Sequence, residues 1–182
     1  MSLEIIRLDG PTFDAAIPDL AVILADAVAG GASVGFLLPF SPDDAATWWQ
    51  SIERDVVRGD VLVIVARLER RVVGTAQLRL APLPNARHRA EVAKVLVHRS
   101  ARRRGIATAM MREIERLALS NGRTLLVLDT IAGSEAEPLY VKLGWTRAAE
   151  IPHYAGLPSG ELRTTVIFYR ELRAAAKQRT PG

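Results

Sequence analysis

Cysteine is absent from the 182 residues, which excludes disulfides, thiolate metal sites and a cysteine nucleophile. That absence also gives no support to a secreted, disulfide-dense scaffold and fits a reducing, cytoplasmic setting. Lysine is scarce: of 24 basic residues only Lys94, Lys142 and Lys177 are lysine, and 21 are arginine. The planar fork of arginine suits phosphate and carboxylate; an anionic partner is one reading of the bias, a skewed codon composition the other. There are only three histidines, and no spaced His/Asp/Glu set suggests a metal, so none is expected. No apolar stretch reaches the length of a membrane span. Met1-Ser2-Leu3-Glu4 lacks a basic region followed by an apolar run, so neither a secretory leader nor a membrane partner is expected. What remains is 49% hydrophobic and 24% charged, with a formal charge of +4. That is the profile of a soluble enzyme or binding domain.

No repeat, low-complexity tract or Pro/Gly/Ser-rich linker divides the chain, so residues 1–172 read as one domain and 173–182 as a basic tail. Leu3 to Leu8 reads as a strand, and Pro11 to Ala29 as a helix bent or interrupted at Pro18. The glycine-rich stretch Gly30-Gly31-Ala32-Ser33-Val34-Gly35-Phe36 lacks the order of a dinucleotide loop and reads as irregular. Ser41 caps a helix whose apolar face is Trp48, Trp49, Ile52, Val56 and Val57; its tryptophans suit the core better than a ligand. Val61 to Ala66 reads as a strand buried on both faces, Val72 to Leu80 as its alternating return, and Arg89 to Val97 as a third. A helix from about Gly105 to Ser120 follows, with Ala107, Met110, Met111, Ile114, Leu117 and Ala118 inward. Strand 124–128, a short helix 134–143 and strands 145–151 and 163–172 complete the order. The unit 89–128 is βαβ with parallel strands, while the short turns before it require antiparallel pairing. The fold class is therefore α/β (α+β): a mixed, mostly antiparallel sheet with a central parallel βαβ unit and flanking helices.

Between the third long strand and its helix lies His98-Arg99-Ser100-Ala101-Arg102-Arg103-Arg104-Gly105-Ile106-Ala107. Free amides at a helix start bind anions, and the helix dipole adds to them. On spacing alone, a phosphate site and an exposed basic turn touching solvent or RNA stand level. Ligands of open α/β sheets bind beyond the carboxyl ends of parallel strands, and this turn lies there.

These residues resemble the GNAT acyl-CoA N-acyltransferases. Their Gln/Arg-x-x-Gly-x-Gly/Ala signature reads here Arg102-Arg103-Arg104-Gly105-Ile106-Ala107, and their later motif reads Ala136, Leu139-Tyr140 and Leu143-Gly144-Trp145. Gly133 departs from the asparagine that many relatives carry near the cofactor. A narrower resemblance, to tabtoxin-resistance acetyltransferases, lies in residues 30–36, Arg89-Ala90-Glu91-Val92, Leu128-Asp129-Thr130 and Ala132-Gly133-Ser134.

The resemblance implies acetyl-CoA as co-substrate, a small amine such as an antibiotic- or toxin-like amino acid as acceptor, and no nucleic-acid partner. It implies a pyrophosphate on the amides of Arg103, Arg104, Gly105, Ile106, Ala107 and Thr108, assisted by the Arg102 and Arg104 side chains. Backbone groups of Leu96 and Val97 would pair with the pantetheine arm, the Val95 N–H would polarise the thioester, and Ser134 would join the cofactor contacts. Glu91, on the face of Ala93 and Val95, is the expected base. Asp129, ending the neighbouring strand, would support it, and Tyr140 would be the acid at the leaving thiolate. From the residues alone, the alternative for Glu91 is a pairing with Lys94 or an arginine, and for Asp129 a cap on the helix after Thr130. Protein or peptide acetylation, and a non-catalytic CoA-sensing or nucleic-acid-binding module, remain alternatives. Oligomeric state stays open, a homodimer included.

Overall fold

The computed structural model describes residues 2–173 of the chain. The tail expected from 173 lies, after Arg173, outside the described residues. Strand β1 (Leu3–Leu8) leads into helix α1 (Gly10–Ala29), then α2 (Pro42–Ser51) and α3 (Glu53–Arg58). Strands β2 (Val61–Leu68), β3 (Arg71–Leu80) and β4 (Arg89–Val97) follow. Helix α4 (Ile106–Ser120), β5 (Leu125–Ile131), α5 (Glu137–Lys142), β6 (Thr146–Gly156) and β7 (Leu162–Glu171) complete the order. One sheet runs β1-β2-β3-β4-β5-β7-β6. Only β4 and β5 pair in parallel; every other pairing is antiparallel.

Strand β2 explains why the sheet is covered on both sides. Val61, Val63 and Val65 face the core built by α1 and α2, while Leu62, Ile64 and Ala66 face the core built by α4. A strand apolar at every position needs such double cover. Helix α1 begins on an Asp9–Thr12 capping box, in which the Thr12 N–H donates to Asp9 Oδ1 at 3.1 Å. It buries Phe13, Ala16, Ile17, Leu20, Leu24, Ala27 and Val28 at helical spacing. On the opposite side of the sheet, α4 buries Ile106, Met110, Met111, Ile114 and Leu117. It lies close on β3 because Gly74 has no side chain: a Cβ there would sit 2.9 Å from the Leu96 carbonyl and 3.2 Å from Met110 Cε.

The expected and observed elements differ at four places. Pro18 does not interrupt α1. It stands on the exposed face, where water can satisfy the carbonyl that a proline leaves without a donor. The helix expected from Ser41 through Val57 is two helices, because Ile52 leaves helical geometry at φ −100°, ψ 1°; Val57 is consequently exposed rather than inward. Strand β5 continues three residues beyond Leu128, so Asp129 lies inside it and pairs with Ile167 of β7. Helix α5 is shorter than expected and starts at Glu137 with no side-chain cap.

Candidate active site

The parallel pairing of β4 and β5 covers only Arg89↔Leu125, Ala90↔Leu126 and Glu91↔Val127. Beyond Glu91, β4 stays with β3 and β5 stays with β7, so a gap opens in the sheet towards the arginine turn. Within that stretch β4 bulges. Its register on β3 steps from Ala93↔Gln77 to Leu96↔Thr75, leaving Lys94 and Val95 opposite Ala76 alone, and Lys94 takes φ +51°. Bulges re-aim side chains beside sites. Val95 packs against the α4-side core, not on the face of Glu91 and Ala93 as strict alternation requires. Lys94 turns the other way, into the layer of α2: its Nζ stands 4.8 Å from the Trp48 ring centre and 5.5 Å from that of Phe36.

At the far end of the gap, Gly105 precedes α4 at φ +75°, and no side chain caps the helix start. A Cβ built on Gly105 meets nothing within 4 Å outside its chain neighbours among the described residues, and the amides of Ile106, Ala107 and Thr108 have no hydrogen-bond acceptor there. Arg103 adopts φ +61° and stands 3.8 Å from Glu135; Arg104 is exposed. Arg102 turns back, its Nε donating to the Val97 carbonyl at 3.2 Å. The turn is anchored from behind by Asp26 of α1, whose side chain is 9% exposed, accepts from the Arg99 amide at 3.0 Å and pairs with the Arg99 guanidinium. Uncommitted helix-start amides beside three guanidiniums fit a pyrophosphate.

The carboxylates expected to act flank the gap. Glu91 lies 3.9 Å from Arg79 of β3, so the arginine pairing anticipated for it exists. Asp129 does not cap a helix. It is exposed on β5, and partial desolvation of its carboxyl by the surrounding chain raises its pKa, against the attraction of Lys94. Tyr140 of α5 is buried among Trp145 and Phe168, with ring centres 6.1 and 5.9 Å away. Its pKa is pushed up to about 12, first by burial and then by the charge of Asp129. Ser134 Oγ lies 3.1 Å from Thr130 Oγ1 in the loop after β5.

Over the α2 side of the gap runs the glycine-rich segment, which is ordered rather than loose. Ser33 Oγ donates to the Gly156 carbonyl at 2.7 Å, and the Leu38 amide donates to the Pro158 carbonyl at 2.8 Å. These bonds tie the segment to the end of the β6–β7 hairpin. Phe36 stacks on Phe40 at 4.5 Å and meets Trp48 edge-on at 5.4 Å. Phe36, Phe40 and Lys94 were not candidates from sequence; the only signal was an isolated lysine in an apolar strand. Elsewhere, His98 bonds Ser100 Oγ at 2.8 Å, while His153 and Tyr154 lie exposed on β6. Among the described residues, no three His, Asp or Glu side chains gather as metal ligands would.

The profile of the acetyltransferase (GNAT) family matches residues 31–145, more than half of the chain. The chain belongs to this family. It is therefore an acyltransferase, and GNAT enzymes use acetyl-CoA as co-substrate. Solved structures agree in fold. A ribosomal-protein-alanine N-acetyltransferase from Brucella melitensis has 23% identity and a TM-score of 0.76, covering 93% of this chain and 99% of its own. The Salmonella typhimurium protein yncA, a candidate acetyltransferase solved with acetyl-CoA, has 19% identity and a TM-score of 0.76, with 97% of each chain covered. A candidate phosphinothricin N-acetyltransferase has 19% identity and a TM-score of 0.75, covering 95% of this chain and all of its own. The uncapped GNAT turn before α4 and the gap behind it fit such a co-substrate. No described helix is long and apolar enough to cross a membrane.

Proposed function

We propose that this acetyltransferase moves an acetyl group from acetyl-CoA directly to the amine of a small molecule. The observation that carries the reading is the roof over the acceptor side. Segment 31–40 is held to the β6–β7 end by the Ser33–Gly156 and Leu38–Pro158 bonds. We read this strap as closing the acceptor side, beside Phe36, Trp48 and Asp129, to an extended peptide, which favours a compact amine. An amino acid of the antibiotic or toxin type fits, in line with the tabtoxin-resistance resemblance and with the phosphinothricin-type neighbour. The setting proposed is the cytoplasm, where acetyl-CoA and a cysteine-free chain are both at home.

The roles follow from chemistry. The amides of Ile106, Ala107 and Thr108, with Arg103 and Arg104, hold the pyrophosphate. Arg102 stays on the Val97 carbonyl and orders the turn. Leu96 and Val97 offer backbone partners to the pantetheine amides, and the bulge at Val95 offers an N–H to a thioester oxygen. Ser134, with Thr130, lines the far wall.

An alkylammonium must lose its proton before it attacks. A carboxylate of raised pKa is the better acceptor of that proton, which favours Asp129 over Glu91. Glu91, tempered by Arg79, supplies the negative charge that draws the ammonium in. Tyr140 keeps its proton well above neutral pH and is thus available as an acid for the departing sulfur. The test is a screen that follows thiol release against amino acids, polyamines and peptides with free N-termini. Turnover confined to peptides would overturn the small-amine reading.

A further inference from the structure

Lys94 carries an amine that none of these roles uses. The bulge in β4 turns it out of the pleat at φ +51°. Its Nζ stands over Trp48 at 4.8 Å and Phe36 at 5.5 Å. A Cβ on Gly35 would come to 3.9 Å from Nζ, so the glycine segment closes directly above it. No carboxylate lies within ion-pair distance of it among the described residues. The charged groups acting on it are Arg79 of β3, which repels it, and Glu91 of β4 and Asp129 of β5, which attract it. The residues meeting it from the loop and from α2 are the uncharged rings. Burial is the largest influence, and the pKa falls to about 8. At that pH about half of the side chain is a free amine, against under about 1% for an ordinary lysine.

We propose that Lys94 is a self-acetylation site: with acetyl-CoA bound and no acceptor present, Lys94 Nζ takes the acetyl group. This rests on the acetyl-CoA reading of the β4–β5 gap. Lys94 is the residue next to the bulge amide offered to the thioester, and its amine occupies the acceptor side beneath the roof. The Nζ–carbonyl bond forms as the carbonyl–sulfur bond breaks. The Nζ proton passes to Asp129, and a proton reaches the departing sulfur from Tyr140 or water. The products are acetyl-lysine and CoA thiol, with no oxidant or other reactant needed. Acetyl-Lys94 is neutral, loses its attraction to the rings and fills the place of the acceptor.

The experiment incubates the protein with acetyl-CoA and no amine. Intact mass and peptide mapping follow the modification, and calorimetry on the same sample follows acetyl-CoA binding. One acetyl group is expected at Lys94, at a rate independent of protein concentration and rising with pH to about 8. It should form at least about tenfold faster than at exposed Lys142, given the difference in free-amine fraction between a depressed and an ordinary lysine. Lys94→Arg should bind acetyl-CoA and remain unmodified. Binding without modification of Lys94, equal labelling of Lys94 and Lys142, or a rate proportional to protein concentration would each overturn self-acetylation while leaving the cofactor reading intact. Absence of binding would overturn both.

Discussion

Replacing Gly105 by valine tests the phosphate cradle with little risk to the fold. Gly105 holds φ +75° and no protein atom lies within 4 Å of a Cβ built there. The substituent therefore meets mainly backbone strain from its own residue, and it stands one residue before the α4 amides. A side chain in the left-handed region costs about 1–2 kcal/mol, well inside the stability of an ordinary domain. For a chain of this length that lowers Tm by about 2–8 °C, and the far-ultraviolet spectrum should be unchanged. Binding should suffer more. One charge-assisted hydrogen bond from an amide to a phosphate is worth about 1.5–3 kcal/mol. Losing one raises the Kd for acetyl-CoA about 10- to 150-fold. Gly105→Ala, with no β-branch, carries less strain and a smaller obstruction, and should fall between wild type and valine. The assay is calorimetric titration of acetyl-CoA into each variant. Wild-type affinity in a folded Gly105→Val protein would refute the assignment of the pyrophosphate to this turn.

The remaining predictions concern chemistry and charge. Asp129→Asn should lower kcat/KM about 10²–10⁴-fold and remove an acid limb that lies above the ordinary aspartate range; higher pH, which frees the amine unaided, should restore part of the rate. If Asp129→Asn is silent but Glu91→Gln shows that loss, the base is Glu91. Tyr140→Phe keeps the packing against Trp145 and Phe168, so acetyl-CoA affinity and Tm should hold while turnover falls; unaltered turnover would remove Tyr140 from the chemistry. With no cysteine to carry the group, initial-velocity lines should intersect. Parallel lines, with an acetyl-protein that hands its group on to the amine, would contradict direct transfer. The fold also responds to Lys94. Its folded pKa of about 8 lies below the ordinary value, so the unfolded chain binds more protons between about 8 and 10.4, and stability rises across that window. Lys94→Met should therefore be more stable than wild type at pH 7, by a margin that shrinks as the pH passes through the window. Melting curves showing a constant margin would disprove it.

Much of the fold is written in local periodicity. The unbroken apolar run of β2 announces a strand covered on both faces, and the spacing of Met110, Ile114 and Leu117 announces the buried side of α4. The place of the arginine turn was legible, because a strand end, a glycine and a helix start follow one another in the same few residues; its role as a phosphate site is the reading proposed above. Other features depend on neighbours far along the chain. Nothing around Lys94 marks a bulge, neither glycine nor proline, because the extra residue is set by the register of β4 on β3. Lys94 and its aromatic company were missed for that reason, and Val95 was assigned to the wrong face. Asp129 was placed at a strand end because the apolar run stops at Leu128; pairing with β7 carries the strand on. Ile52 breaks its helix without a breaker residue, whereas Pro18 spares its own by standing towards water. The glycine-rich segment looked loose because glycine permits so many conformations, yet two bonds to the β6–β7 end hold it.

The sheet of this protein lacks a rung. Beyond Glu91 the edge of β4 that turns away from β3 has no strand beside it among the described residues, although β5 starts in register and then leaves. An exposed edge usually invites a second protein chain. Here β5 and the β7–β6 pair continue the sheet across the opening. A ligand that completes the sheet binds the folded chain and not the unfolded one, and mass action then adds it to the folding equilibrium. At a hundred times its Kd it contributes about 2.7 kcal/mol. On the proposed reading, in which acetyl-CoA fills this gap, the melting temperature of the protein should rise with the acetyl-CoA concentration around it.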